Sequence, residues 1–142
     1  MIDTVDKATR SRMMAGIRSK GTRPELIVRR SLHAQGFRFR LHVKELPGKP
    51  DLVFPKYNAV IFVNGCFWHG HECEIFKWPS ANKKFWRDKI ERNAANDAVA
   101  RRALRRLGWR VMVLWECSLR RSLRTGDSKL VIKAANWLRS AL

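Results

Sequence analysis

The chain has 142 residues, enough for one packed domain and too few for two ordinary ones. Hydrophobic residues make up 45%, which suits a folded core. Thirty Lys and Arg against twelve Asp and Glu leave a formal charge of +18 and a pI near 11.2, which points to a polyanionic partner, most commonly nucleic acid. The apolar residues are scattered, so no stretch approaches the roughly 20 needed to span a bilayer, and no membrane role is expected. MIDTVDKATRSR lacks the apolar middle of a signal peptide, so an intracellular, reducing location is expected. Three cysteines, an odd number, argue against a disulfide framework and turn attention to metal.

With no repeat and no Gly/Ser linker, residues 1–142 read as a single domain: a basic N-terminal arm over 1–20, then an α/β core over 21–142. The arm has loosely spaced apolar positions (Val5, Ala8, Met13, Ile17) and lacks the stripe of a packed helix. A helix opens near Thr22, which has capping-box spacing to Glu25, tolerates Pro24 in its first turn and closes at Gly36. Phe37, Phe39, Leu41 and Val43 alternate with Arg38, Arg40 and His42, predicting a half-buried strand. The turn Leu46-Pro47-Gly48-Lys49-Pro50 leads to a short strand from Asp51 to Phe54. Ala59-Val60-Ile61-Phe62-Val63 is apolar on both faces, as a central strand would be. A loop rich in Cys, His and Trp follows. A long basic helix is expected roughly over 83–107, ending at Gly108, and then a strand over 109–115. Asp127 is placed to cap a last helix. These elements predict an α/β sandwich around a small mixed sheet flanked by helices.

Cys66, His71 and Cys73 lie within the segment GCFWHGHEC, and Cys117 follows the last predicted strand. Three thiolates and one imidazole form a common closed, structural zinc site, which would pin the loop after the third strand to the loop after the fourth. Free thiols with a surface histidine are the plain alternative. His69 and His71 could exchange roles, the one not bound to metal being available to move a proton. Asp51 at a strand start is a hard ligand suited to magnesium, although Pro-Asp is also ordinary turn chemistry. Glu25 is explained by capping alone. Asp97, on the long helix, is either a solvated charge or the group that orients a histidine ring. Phe67 and Trp68 in the metal loop, with Trp86 nearby in sequence to the helix start, could insert between base steps. They could equally form an apolar cover over the metal, and Trp86 could be core beside Ile90.

Asp6-Lys7-Ala8-Thr9-Arg10-Ser11, Pro47-Gly48-Lys49-Pro50-Asp51, Gly65-Cys66-Phe67-Trp68-His69, Phe85-Trp86, Leu107-Gly108-Trp109-Arg110-Val111 and Trp115-Glu116-Cys117 together resemble the very short patch repair (Vsr) endonucleases, over nearly the whole chain. The resemblance implies a variant of the PD-(D/E)XK nuclease fold. It implies a DNA mismatch endonuclease that nicks one strand beside the thymine of a T·G mismatch in a magnesium-dependent hydrolysis, leaving 5′-phosphate and 3′-hydroxyl ends. Carried over by position, Asp51 and the main-chain carbonyl of Val63 would bind Mg2+, and His69 would be the general base or acid, with Glu25 and Asp97 supporting the water network. Cys66, His71, Cys73 and Cys117 would hold Zn2+. Phe67, Trp68 and Trp86 would form an intercalating wedge, and the arm bearing Lys7, Arg10 and Arg12 would brace the far side of the duplex. A cytoplasmic, nucleoid-associated protein of bacterial type is implied, acting on double-stranded DNA with other mismatch-repair proteins as further partners; a monomer is expected because a single T·G site has no two-fold symmetry to match.

The sequence departs from the family pattern at Val63, commonly Thr, and at Asn64, commonly His. Only the second loss removes a group that shuttles protons at neutral pH. Asn64 therefore supports the alternative of a zinc-stabilised, catalytically weak or inactive binder of distorted duplex. An RNA-binding role is not supported, because the chain has none of the motifs of the usual RNA-binding modules.

Overall fold

The computed structural model describes residues 23–140; Thr22, and the arm with Lys7, Arg10 and Arg12, lie outside the described residues. Helix α1 (Arg23–Ala34) buries Val28 and Leu32, one turn apart, and accepts Pro24 in its first turn, where no intrahelical N–H is needed. It stops at Gly36, whose φ of 96° suits the left-handed exit. The amides of Gly36 and Phe37 return to the carbonyls of His33 and Leu32, satisfying acceptors the helix end would otherwise leave open.

Among the described residues four strands form one sheet in the order β1-β2-β3-β4: β1 (Arg40–Leu41), β2 (Leu52–Phe54), β3 (Ala59–Asn64) and β4 (Arg110–Trp115). The first three run antiparallel to their neighbours and β4 lies parallel to β3, from Ala59 beside Arg110 to Asn64 beside Trp115. Parallel neighbours require a crossover, and α2 (Lys83–Arg106) supplies it. The expected strand over 37–43 is a correction: only Arg40 and Leu41 pair. His42 turns to φ 49°, which ends the ladder, while Phe37 and Phe39 pack on Phe54.

β3 is apolar throughout because both its faces are covered. Ala59, Ile61 and Val63 join Leu52, Phe54 and Leu114 under α1, α3 (Glu116–Thr125) and α4 (Lys129–Arg139). Val60 faces the other way, with Val53, Leu104 of α2, and half-buried Phe62 and Trp109. Each fully buried aliphatic or aromatic side chain contributes about 1.5–3 kcal/mol. The sheet is thus sandwiched between helix layers, the mixed α/β arrangement expected.

Helix α3 was not anticipated. Its core-facing residues are few, Cys117 and Leu119 being buried amid arginines, so no broad apolar stripe announces it. Gly126 at φ 68° closes it. Asp127 then accepts a 2.7 Å hydrogen bond from the Lys129 amide and opens α4, as the sequence suggested. Arg110 at the start of β4 donates to the carbonyls of Trp137 (2.8 Å) and Leu138 (3.0 Å) at the end of α4. It also donates to Tyr57 (3.2 Å) in the turn between β2 and β3, binding three elements with one guanidinium.

Candidate active site and metal centre

Among the described residues, two groups of side chains that could hold a metal ion lie near the carboxyl end of β3. The turn from Leu46 to Lys49 closes through a 3.1 Å bond from the Lys49 amide to the Leu46 carbonyl, with Pro47 and Gly48 (φ 74°) at its centre. A side chain on Gly48 would meet Ala100 of α2 at 2.7 Å, so both backbone angle and space demand glycine there. The turn delivers Asp51 to the start of β2, across from the last residues of β3. Asp51 is only 8% exposed, and its Oδ2 accepts a 2.7 Å hydrogen bond from the Val63 amide. Burying a carboxylate costs several kcal/mol, and a charge-assisted bond to main chain offsets part of that.

Glu25 of α1 reaches the same place. It is 1% exposed, and its Oε2 lies 3.2 Å from both Arg29 Nη1 and His42 Nε2. The capping partner Thr22 is outside the described residues. His42 Nδ1 stands 3.6 Å from Asp51 Oδ1, and ligand atoms of Glu25, His42 and Asp51 all lie within 4.8 Å of one another. His42 was read only as a polar position of a strand. Its role as a neighbour of both carboxylates is invisible in the alternation and arises from the left-handed turn. Asn64, 4% exposed, is the last residue of β3 beside Trp115.

The loop after β3 carries His69, whose Nδ1 contacts Asp97 Oδ2 from the middle of α2. With Nδ1–H donated to the carboxylate, Nε2 presents its lone pair elsewhere. Asp97 is thus paired with a histidine ring rather than standing as a solvated charge. Gly70 (φ 61°) lets this loop pass α2, since a Cβ there would sit 2.7 Å from Ile90 Cγ2.

His71 takes the other direction. Ligand atoms of Cys66, His71, Cys73 and Cys117 lie within 4.8 Å of one another, with Cys117 Sγ 3.6 Å from His71 Nδ1. The parallel pairing of β3 and β4 makes this possible by placing their carboxyl ends side by side. Cys117 belongs to the first turn of α3 rather than to a loop. Glu116 accepts a 3.2 Å bond from the Cys66 amide, and the His71 ring stacks on Trp115 at 4.0 Å. Burial pushes the Cys66 thiol up to about 12. Burial acts against ionisation of Cys73 as well, but the amides of Ile75 and Phe76 and the neighbouring His71 and Cys66 bring it down to about 7. The four residues form a donor set that can hold a metal ion.

Beside this centre Phe67, Trp68 and Trp86 form one half-buried cluster, with ring centroids 5.2, 5.4 and 6.0 Å apart. Trp86 joins the loop aromatics, while Ile90 alone goes to the interior. The cluster continues through Phe76 to Trp78, half exposed, and through Trp86 to Phe85, 58% exposed, neither of which had been singled out for contact with a partner. Lys89 lies over Trp68 and Trp86. Aromatic faces interleaved with cations suit stacking against bases beside phosphates.

A sandwiched mixed sheet, a Cys/His group able to hold a metal ion and a carboxylate–histidine cluster near one strand end define a small mixed α/β protein consistent with a nuclease fold. Residues 2–75 match the family model "DNA mismatch endonuclease Vsr". The chain is 41% identical over 138 residues to the DNA mismatch endonuclease Vsr of Escherichia coli (strain K12), covering 97% of this chain and 88% of that protein. It is 50% identical over 119 residues to the type II nicking enzyme V.XorIIP of Xanthomonas oryzae pv. oryzae (84% and 88% covered). It is 43% identical over 120 residues to the type II nicking enzyme V.NmeAIP of Neisseria meningitidis serogroup A (84% and 86%). The chain belongs to the Vsr DNA mismatch endonuclease family. No helix among the described residues is long and apolar enough to cross a membrane.

Proposed function

We propose that this chain is a strand-specific DNA endonuclease that nicks beside the thymine of a T·G mismatch, with magnesium at Asp51 and zinc at the thiolate site. The observation that carries the reading is the convergence of buried Asp51 and the His69–Asp97 pair on the carboxyl end of β3. Helix α1 against the antiparallel β1–β2–β3 meander, followed by the crossover to parallel β4, supports a variant of the PD-(D/E)XK nuclease fold.

The residues present fit both cations. The 3.6 Å between Cys117 Sγ and His71 Nδ1 equals the ~3.6 Å separation of tetrahedral zinc ligands bonded at usual lengths. The carboxylates of Asp51 and Glu25, buried side by side, fit a pocket for a hard divalent cation and its water. Asp51, with the Val63 carbonyl, would hold magnesium, which when bound stabilises negative charge on the phosphate oxygens. The Val63 amide fixes the rotamer of the Asp51 carboxylate. His69 exchanges a proton with the attacking water or the leaving oxygen through Nε2, and Asp97 keeps Nδ1 protonated so that Nε2 is the working atom. Glu25 orders water in the same pocket. Phe67, Trp68 and Trp86 wedge into the mispaired step, where unstacking costs least. Lys7, Arg10 and Arg12 grip the backbone from the N-terminal arm of a single nuclease domain. The protein acts as a cytoplasmic monomer, because a T·G site has no two-fold axis to match.

Asn64 is the observation that favours the second reading, a binder of distorted duplex without cleavage. A strand-resolved nicking assay on matched and T·G duplexes, with magnesium and with EDTA, separates the two. A magnesium-dependent nick on the thymine strand alone is expected. Tight mismatch binding without a nick would overturn the enzyme reading, and recovered cleavage in Asn64→His would then identify the silencing residue.

A further inference from the structure

We infer that His42 is itself a ligand of the catalytic cation through Nδ1, so that the cation held at Asp51 has a nitrogen donor beside its oxygen donors. The inference rests on the reading that the cation sits at Asp51, and concerns a residue to which that reading assigns no part.

Three observations carry it. The His42 ring lies between the two carboxylates, Nε2 at 3.2 Å from Glu25 Oε2 and Nδ1 at 3.6 Å from Asp51 Oδ1. With Nε2 engaged by Glu25, the other ring nitrogen, Nδ1, is the one directed at Asp51. That Nδ1 is buried and has no hydrogen-bond partner, so it is a nitrogen donor available to a cation held at Asp51. A cation with bonds of about 2.1 Å to each atom can bridge the 3.6 Å gap.

The backbone enforces the arrangement. His42 adopts φ 49°, an unfavourable conformation for a residue with a side chain, and its amide donates to the Asp51 carbonyl at 3.1 Å. Main chain and side chain of His42 are therefore both indexed to Asp51. An imidazole in the coordination sphere shifts preference from magnesium toward manganese and the later first-row ions.

Electron spin-echo spectroscopy of the zinc-loaded full-length protein with one equivalent of Mn2+ and no DNA tests this directly. Wild-type protein is expected to bind one Mn2+ with a directly coordinated 14N signal. In H42Q that signal is expected to vanish, Mn2+ binding to weaken at least about tenfold, and the ratio of Mn2+ to Mg2+ affinity to fall. Circular dichroism establishes that H42Q is folded, and the wild-type spectrum decides the question even if it is not. Mn2+ that binds, is lost in D51N and shows no nitrogen coupling would overturn the assignment of His42 while leaving the cation at Asp51. Nitrogen coupling that survives H42Q would do the same. No Asp51-dependent Mn2+ binding at all would bring down the cation site and this inference with it.

Discussion

Asp97 sits in the middle of α2 and touches His69 from a loop 28 residues earlier, so its effect on chemistry is separable from its effect on the fold. Asp97→Asn keeps shape but favours the wrong imidazole tautomer. We expect a fall of roughly 100- to 10,000-fold in the nicking rate with DNA affinity within about threefold of wild type, read by single-turnover kinetics beside gel-shift titration. Asp51→Ala is expected to lower cleavage by about 1,000-fold or more while mismatch binding persists; retained cleavage would remove Asp51 as the metal ligand. Gly70 makes a different demand, since its φ of 61° and the 2.7 Å approach of Ile90 both oppose a side chain. Gly70→Ala should cost about 1–3 kcal/mol in urea denaturation, and an unchanged midpoint would show that the loop shifts freely.

At the level of elements, the metal-type donor set joins the loop after β3 to the first turn of α3, two segments brought together by the pairing of β3 with β4. Cys117→Ala is expected to abolish stoichiometric zinc, measured by atomic absorption, and to lower the melting temperature by at least about 5 °C. Full zinc occupancy in that variant would refute the four-ligand site. The elements themselves were unequally legible. α1, β3, α2 and α4 carry strong periodicity, long apolar runs or glycine stops, and they stand close to where those signals put them. β1 shrank because His42 leaves the extended region, and α3 stayed hidden because its buried residues are few among three arginines and two serines.

For the whole molecule, a formal charge of +18 makes association with DNA chiefly a matter of counterion release. If six to ten phosphates are neutralised, affinity for matched duplex should fall by about 10³- to 10⁵-fold between 50 and 200 mM salt. The preference for T·G over matched DNA should change much less over that range, because unstacking by the aromatic cluster is not ionic. A fluorescence-anisotropy salt titration measures both, and a shallow slope would mean that most of the positive charge faces away from the duplex.

The sequence by itself determined the partner class, the element types with strong local patterns, and the stock of ligands. Charge, periodicity, turn glycines and cysteine spacing act over short range and survive in a one-dimensional string. The Gly48 turn, the two-faced β3 and the three closely spaced donor residues Cys66, His71 and Cys73 were legible for that reason. Only the tertiary structure decided which groups meet. It separated His69 from His71 by setting one against Asp97 and the other against the thiols, and brought Cys117 in from 44 residues beyond Cys73. It also turned Glu25 and His42 onto Asp51. Those meetings depend on a parallel strand pair closed by a crossover helix and on one left-handed residue. Long-range pairing and a single backbone angle leave no periodic trace in the chain that makes them.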